Sequence, residues 1–176
     1  MPKVIQNILP SILNKKIINI LINTKGWYFG NDKNNFLNAA HSMEADQGMV
    51  LVTHDENLKI EKNENFNLLN ICGEFIARLT LDKAQMDQKW AVKRVNWNFY
   101  HTKSKGKEHI DSETPGCVSI LYNLNTNNGC TIINNKGFKS NESESIIFSS
   151  NKLHQGVGCD TQLRYNLNLI LRNETV

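Results

Sequence analysis

Two stretches of the chain carry apolar residues three and four apart. Along Ser11–Ile22 the positions Ile12, Ile17, Ile18 and Leu21 form one stripe and leave Lys15 and Lys16 opposite, which predicts an amphipathic helix. Phe66, Leu69, Cys72, Ile76 and Leu79 predict a second helix over Phe66–Leu79, with Gly73 as its weakest position. Between the two, the turn Thr24-Lys25-Gly26 and an Asn- and Asp-rich stretch read as loop, and Gly48-Met49-Val50-Leu51-Val52-Thr53 has the β-branched content of a strand. From Arg94 onward the pattern shortens. Arg94–Tyr100, Cys117–Leu124, Cys130–Ile133, Ser145–Phe148 and Leu163–Leu171 read as strands separated by Gly, Asn, Ser and Lys turns. Helices mainly in residues 1–90 and strands in 94–172 predict a mainly β protein with flanking α-helices, and the strand spacing suits a double-layered jelly roll.

Composition narrows the picture. A chain of 176 residues without an internal repeat or low-complexity linker reads as one domain, residues 1–176. The net charge of +3 lacks the clustered arginines and interleaved aromatics of a nucleic-acid surface, so no nucleic-acid partner is expected. Cys72, Cys117, Cys130 and Cys159 are far apart, which excludes a zinc ribbon or dithiol motif and suggests free thiols in a reducing cytosol. The apolar run from Val4 to Ile22 is broken by Asn7, Asn14, Lys15, Lys16 and Asn19, so neither a membrane span nor a signal peptide is read there, and a cytoplasmic protein is expected. Oligomeric state is left open.

The residues able to do chemistry lie in the β half. In His109-Ile110-Asp111 the imidazole and carboxylate are two positions apart, so an extended backbone projects both to one face. His154, after the apolar strand Ser145–Phe148, offers a third ligand. Two histidines and a carboxylate are the facial set that leaves positions open on non-haem Fe(II). Ten residues further, alternation in Leu163-Arg164-Tyr165-Asn166-Leu167-Asn168-Leu169 puts Arg164 and Asn166 opposite the leucines. A guanidinium buried there requires an anion, and a dicarboxylate gripped bidentately supplies one.

Taken with Arg94-x-x-x-Asn98-x-Tyr100 and Ile147-Phe148-Ser149-Ser150-Asn151-Lys152-Leu153-His154, this order of residues resembles the 2-oxoglutarate/Fe(II) oxygenase family, in particular its short prolyl-4-hydroxylase-like bacterial and phage members. The likeness covers roughly Arg94 to Arg172. It implies a double-stranded β-helix, a metal site of His109, Asp111 and His154, and Arg164 against the 5-carboxylate of 2-oxoglutarate. Tyr100 matches the family tyrosine that hydrogen-bonds the co-substrate, with Asn98 facing the same way. Tyr122-Asn123-Leu124-Asn125 resembles the family's Tyr-x-Asn strand in two registers, so either Tyr122 or Asn123 reaches 2-oxoglutarate, Tyr122 being preferred. The family's Gly-Gly-x-Thr appears as Asn128-Gly129-Cys130-Thr131, leaving Thr131 to line the pocket, and Asn166 stands where relatives carry Ser or Thr. The implied cofactors are Fe(II), 2-oxoglutarate and O2, with ascorbate as auxiliary reductant. The implied reaction is hydroxylation of an aliphatic carbon with release of succinate and CO2, because Asp111 fills the position that halogenases leave to Gly or Ala. A prolyl residue in a peptide or protein is the leading substrate, a free amino acid or other small metabolite the second.

Other features weigh less. His41, His54 and His101 lack ligand spacing to the triad, and Trp27, Trp90 and Trp97 read as core. Lys103-Ser104-Lys105-Gly106-Lys107 reads as a solvated loop or as a flap over the pocket, whose lysines then favour an acidic or phosphate-bearing substrate. The competing class is a non-catalytic jelly-roll module that binds a ligand at the barrel mouth.

Overall fold

The structure is a computed structural model that describes residues 1–29, 48–60, 63–86, 89–102, 104–160 and 162–174. His41, Lys103 and the Asn- and Asp-rich loop fall outside these residues. The elements in chain order are β1 (Lys3–Ile5), α1 (Ser11–Ile22), β2 (Tyr28–Phe29), β3 (Met49–Asp55), α2 (Glu64–Lys83), β4 (Trp90–Tyr100), β5 (Cys117–Asn123), β6 (Asn127–Ile133), β7 (Lys136–Ser140), β8 (Ser145–Ser149), β9 (His154–Val157) and β10 (Arg164–Asn173). They build a seven-stranded sheet ordered β1-β8-β5-β10-β4-β3-β2 and a three-stranded sheet ordered β7-β6-β9. Every named pair is antiparallel, the arrangement of a jelly roll.

Helix α1 has the predicted bounds, whereas α2 runs a turn or so beyond Phe66–Leu79. The Asn63 side chain accepts the Phe66 N–H at 2.9 Å and caps its start, with Glu64 in the first turn and Lys83 in the last complementing the helix dipole. Gly73 costs helix propensity but has a packing reason, because a Cβ there would lie 3.0 Å from Val95 Cγ1 of β4 and 3.5 Å from Leu169 Cδ2 of β10. That close approach lets α2 lie on the large sheet.

The period-two alternation of β10 divides the molecule. Leu167, Leu169 and Leu171 join Leu69, Ile76 and Leu81 of α2, Leu21 of α1, and Trp97 and Ile120 in the main core. On the other face, towards the small sheet, a second cluster among the described residues holds Leu121, Ile133, Ile146 and Phe148, with Phe138 against it. The rest of that inner face is polar. Arg164, Asn166 and Asn168 of β10 stand opposite Tyr100, Asn98 and Asn96 of β4, and Asn166 also pairs with Asn123 of β5. Core formation accounts for the outward leucines, but a row of buried asparagines requires another purpose.

Strands β1, β2, β7 and β9 lack the apolar alternation that marks a strand in sequence, since Lys136–Ser140 is a polar edge and His154–Val157 is set by its pairing with β6. Among the described residues no helix is long and apolar enough to cross a membrane.

Candidate metal and co-substrate site

The segment carrying His109 is placed by β9. His109 and His154 exchange both backbone hydrogen bonds, each N–H donating to the other's carbonyl at 2.9 Å, so their side chains leave the same face as neighbours. Their rings lie 4.3 Å apart between centroids. Two residues on, the Asp111 N–H donates to Ser150 O at 2.9 Å, and the Asp111 carboxylate lies on the histidines' side. His154 Nε2 is 3.5 Å from Asp111 Oδ2 and His109 Nε2 is 3.9 Å from Oδ1. One ligand atom from each of the three residues lies within 4.8 Å of the other two.

Both imidazoles have a fixed tautomer. His109 Nδ1 is 2.8 Å from Lys107 O and His154 Nδ1 is 2.9 Å from Lys152 O. A carbonyl only accepts, so each Nδ1 carries the hydrogen and each Nε2 presents its lone pair to the centre, as metal-binding histidines require. Burial and the neighbouring His154 lower the His109 pKa, against the opposing pull of Asp111, and favour the neutral ring.

Asp111 is 2% exposed. Arg94 Nη2 donates to its Oδ1 at 2.9 Å, Ser119 Oγ donates to Oδ2 at 2.5 Å, and Asn168 Nδ2 sits 3.0 and 3.2 Å from the two oxygens. Burial acts to raise the Asp111 pKa, but His154, Arg94, His109 and the Ser119 bond outweigh it and hold the carboxyl below its ordinary value. Both shifts have the same sign for acidification. Protonation of His109 below its ordinary 6.5 and of Asp111 below 3.8 is resisted only by the folded chain, so each contributes stability above those values that is lost as pH falls. Divalent-metal affinity is therefore expected to fall as the pH drops below 6.5, which calorimetric titration with Mn(II) checks, and a flat profile contradicts neutral histidine ligands.

Further along the same face lies Arg164, 1% exposed. Its Nη1 donates to Cys130 O at 2.7 Å and Val157 O at 2.9 Å, and its Nη2 to Thr131 Oγ1 at 2.7 Å. Nε has no partner, and among the described residues no carboxylate lies within ion-pair distance. Burial lowers the Arg164 pKa, with Tyr100 and the Cys130 and Cys159 thiols opposing, yet a guanidinium stays charged. The Tyr100 ring stands 5.1 Å from the Arg164 Cζ. Gly156 makes room for it, since a Cβ there would lie 2.6 Å from Tyr100 Cζ.

Of the residues singled out from sequence, Tyr100, Asn98, Asn166, Thr131 and Arg164 therefore share the inner face with the three candidate ligands. Asn98 Nδ2 donates to Asn166 Oδ1 at 2.8 Å. Tyr122 does not share that face. It pairs with Leu167, lies in the main core with 0% exposure, and donates its hydroxyl to Asn14 Oδ1 at 2.6 Å, with burial pushing its pKa up to about 12. The other register is the one adopted, and Asn123 faces inward with neither side-chain polar atom bonded. Tyr122→Phe is expected to cost about 1 kcal/mol of stability while leaving metal and dicarboxylate affinity unchanged, as denaturant melts and titrations would register.

Residues 104–109 are not a free flap. Gly106 N donates to Gly156 O at 2.8 Å, Gly158 N to Ser104 O at 2.7 Å, and Gln155 Nε2 to Gly106 O at 2.7 Å, which fastens this segment along β9. Sequence reasoning missed Ser119 and Asn168 as holders of Asp111. Continuing the Arg164-Asn166 alternation by one step reaches Asn168, and stepping back from Asn123 through Leu121 reaches Ser119.

No protein-family model and no curated protein matches the chain in sequence. Solved structures do match. A prolyl hydroxylase from Trichoplax adhaerens, in complex with a hypoxia-inducible-factor peptide fragment, superposes with a TM-score of 0.69 at 17% identity, covering 99% of this chain and 84% of that one. The viral collagen prolyl hydroxylase of Paramecium bursaria Chlorella virus-1, in its 2-oxoglutarate complex, gives 0.62 at 13% over 97% and 94%. SnoN, a non-haem α-ketoglutarate-dependent epimerase of nogalamycin biosynthesis, gives 0.67 at 10% over 99% and 78%. At these identities the likeness is one of fold, and the jelly roll of these proteins is the fold of this chain.

Proposed function

We propose that the protein is an Fe(II)- and 2-oxoglutarate-dependent dioxygenase that hydroxylates an aliphatic carbon. The observation that carries the reading is a buried guanidinium without an anionic partner among the described residues, on the same face as a three-ligand cluster. Arg164 and Asn168, the residue bonded to Asp111, are four positions apart on β10, about 13 Å along the strand. A five-carbon dicarboxylate together with the reach of the arginine bridges that gap. A cation buried at this depth without a counter-ion is costly, and a carboxylate from a ligand removes the cost.

In this reading His109, Asp111 and His154 hold the metal, which supplies the oxygen activation when bound. The residues of the chain do the rest. The Nδ1–H bonds to Lys107 and Lys152 keep both Nε2 lone pairs inward, and Ser119 with Asn168 fixes the carboxylate. Arg164 binds the distal carboxylate, steadied by Thr131 Oγ1 and the Tyr100 ring. Asn98, Asn123 and Asn166 floor the space between, and Asn123 offers a free amide there. The apolar patch of Leu121, Ile133, Ile146 and Phe148 excludes water from the metal side.

A peptidyl proline is the leading substrate, supported by the prolyl hydroxylases among the structural neighbours, one of them with a bound peptide. A small metabolite is the second reading, because SnoN superposes nearly as well as the peptide-bound neighbour. Slow succinate formation from Fe(II), 2-oxoglutarate and ascorbate without added substrate tests the class. Absence of both succinate and metal binding favours the non-catalytic module. Incubation with a peptide library and a metabolite extract, read as a mass gain of one oxygen, separates the substrates.

A further inference from the structure

The Asp111 carboxylate has more donors than orientation requires. Ser119 fixes Oδ2 and Asn168 spans both oxygens, so two neutral donors already set its position. Arg94 adds one contact, Nη2 to Oδ1 at 2.9 Å, and its Nε is left without a partner. The geometry is not the two-bond fork by which arginine grips a carboxylate for stability alone. Nor is it a surface ion pair, as the side chains are 11% and 0% exposed. What Arg94 contributes that Ser119 and Asn168 do not is a permanent positive charge against one ligand of the centre.

We propose that Arg94, acting through Asp111, restrains by its charge the affinity of the site for divalent metal. The inference rests on the metal-centre reading above. Two neutral imidazoles and one carboxylate carry a single negative charge, which Arg94 cancels. Its guanidinium draws electron density from the ligating carboxylate and repels a dication a few ångströms away. Both effects weaken metal binding, and neither is screened well in a buried site. The orientation lost with Arg94 acts the other way but is small, because Ser119 and Asn168 remain. The net sign is therefore tighter binding without the arginine.

The test uses the full chain and Mn(II), titrated against a competing chelator. R94Q is expected to bind Mn(II) at least tenfold more tightly than the parent, and R94K, which keeps the charge, within about threefold of it. R94Q is also expected to melt earlier than the parent after chelator treatment and to regain the difference at saturating Mn(II). Equal or weaker Mn(II) binding by R94Q, or the same change in R94Q and R94K, overturns the proposal. Should R94Q not fold, R94M takes its place in the same titration, tighter Mn(II) binding than the parent supporting the proposal and equal or weaker binding overturning it. A parent that binds no Mn(II) removes the metal centre itself, an outcome distinct from a wrong sign in R94Q.

Discussion

Asp111→Ala is expected to abolish divalent-metal binding and to lower the stability of the chelator-treated protein by about 3–5 kcal/mol, whereas His109→Ala abolishes binding at little cost to stability. The contrast follows from surroundings. Removing the aspartate leaves Arg94 buried without its counter-ion and strips Ser119 and Asn168 of an acceptor. The His109 side chain is 29% exposed and is held by one bond to a backbone carbonyl that water can replace. Calorimetry with Mn(II) and urea melts of both variants measure the two effects. Retained binding in either variant contradicts the ligand assignment, and equal stability contradicts the pairing of Arg94 with Asp111.

Arg164→Ala is expected to weaken 2-oxoglutarate binding to the Mn(II)-loaded protein at least about 100-fold, roughly 3 kcal/mol, while Mn(II) affinity stays within a few-fold of the parent. The charge-assisted bonds of a guanidinium account for the size, and the distance of Arg164 from the cluster accounts for the selectivity. Arg164→Lys recovers only part of the loss, because an ammonium cannot bond Cys130 O, Val157 O and Thr131 Oγ1 and also meet a carboxylate in the same plane. Unchanged 2-oxoglutarate affinity in Arg164→Ala means that the anion of this site is something else.

Much of this was legible in the chain because it follows periods. Alternation in Leu163–Leu169 separates the leucines that meet α2 from Arg164 and Asn166, and the two-residue spacing of His109 and Asp111 sets a common face wherever the backbone is extended. Tyr122 shows where such reasoning stops. A shift of one residue exchanges the faces of a strand, and Tyr122 is turned into the main core, where Asn14 of α1, 108 positions away in sequence, accepts its hydroxyl. Arg94 was visible as part of a motif but not as a partner of Asp111, since a charge pair between a strand and a loop has no spacing rule. Strand β9 was hidden for the same reason, its extended form being fixed by His109 and β6 and not by its own residues.

Under the proposed function, three side chains and a distant arginine serve one metal-chelated dicarboxylate. Crystals grown with Mn(II) and 2-oxoglutarate test it most directly through the anomalous signal of the metal. One strong peak is expected at the roughly 2.0–2.2 Å usual for metal–nitrogen and metal–oxygen bonds from His109 Nε2, His154 Nε2 and an Asp111 oxygen, with the far carboxylate of the ligand on Arg164. A peak elsewhere, or a ligand that leaves Arg164 without a carboxylate, contradicts it.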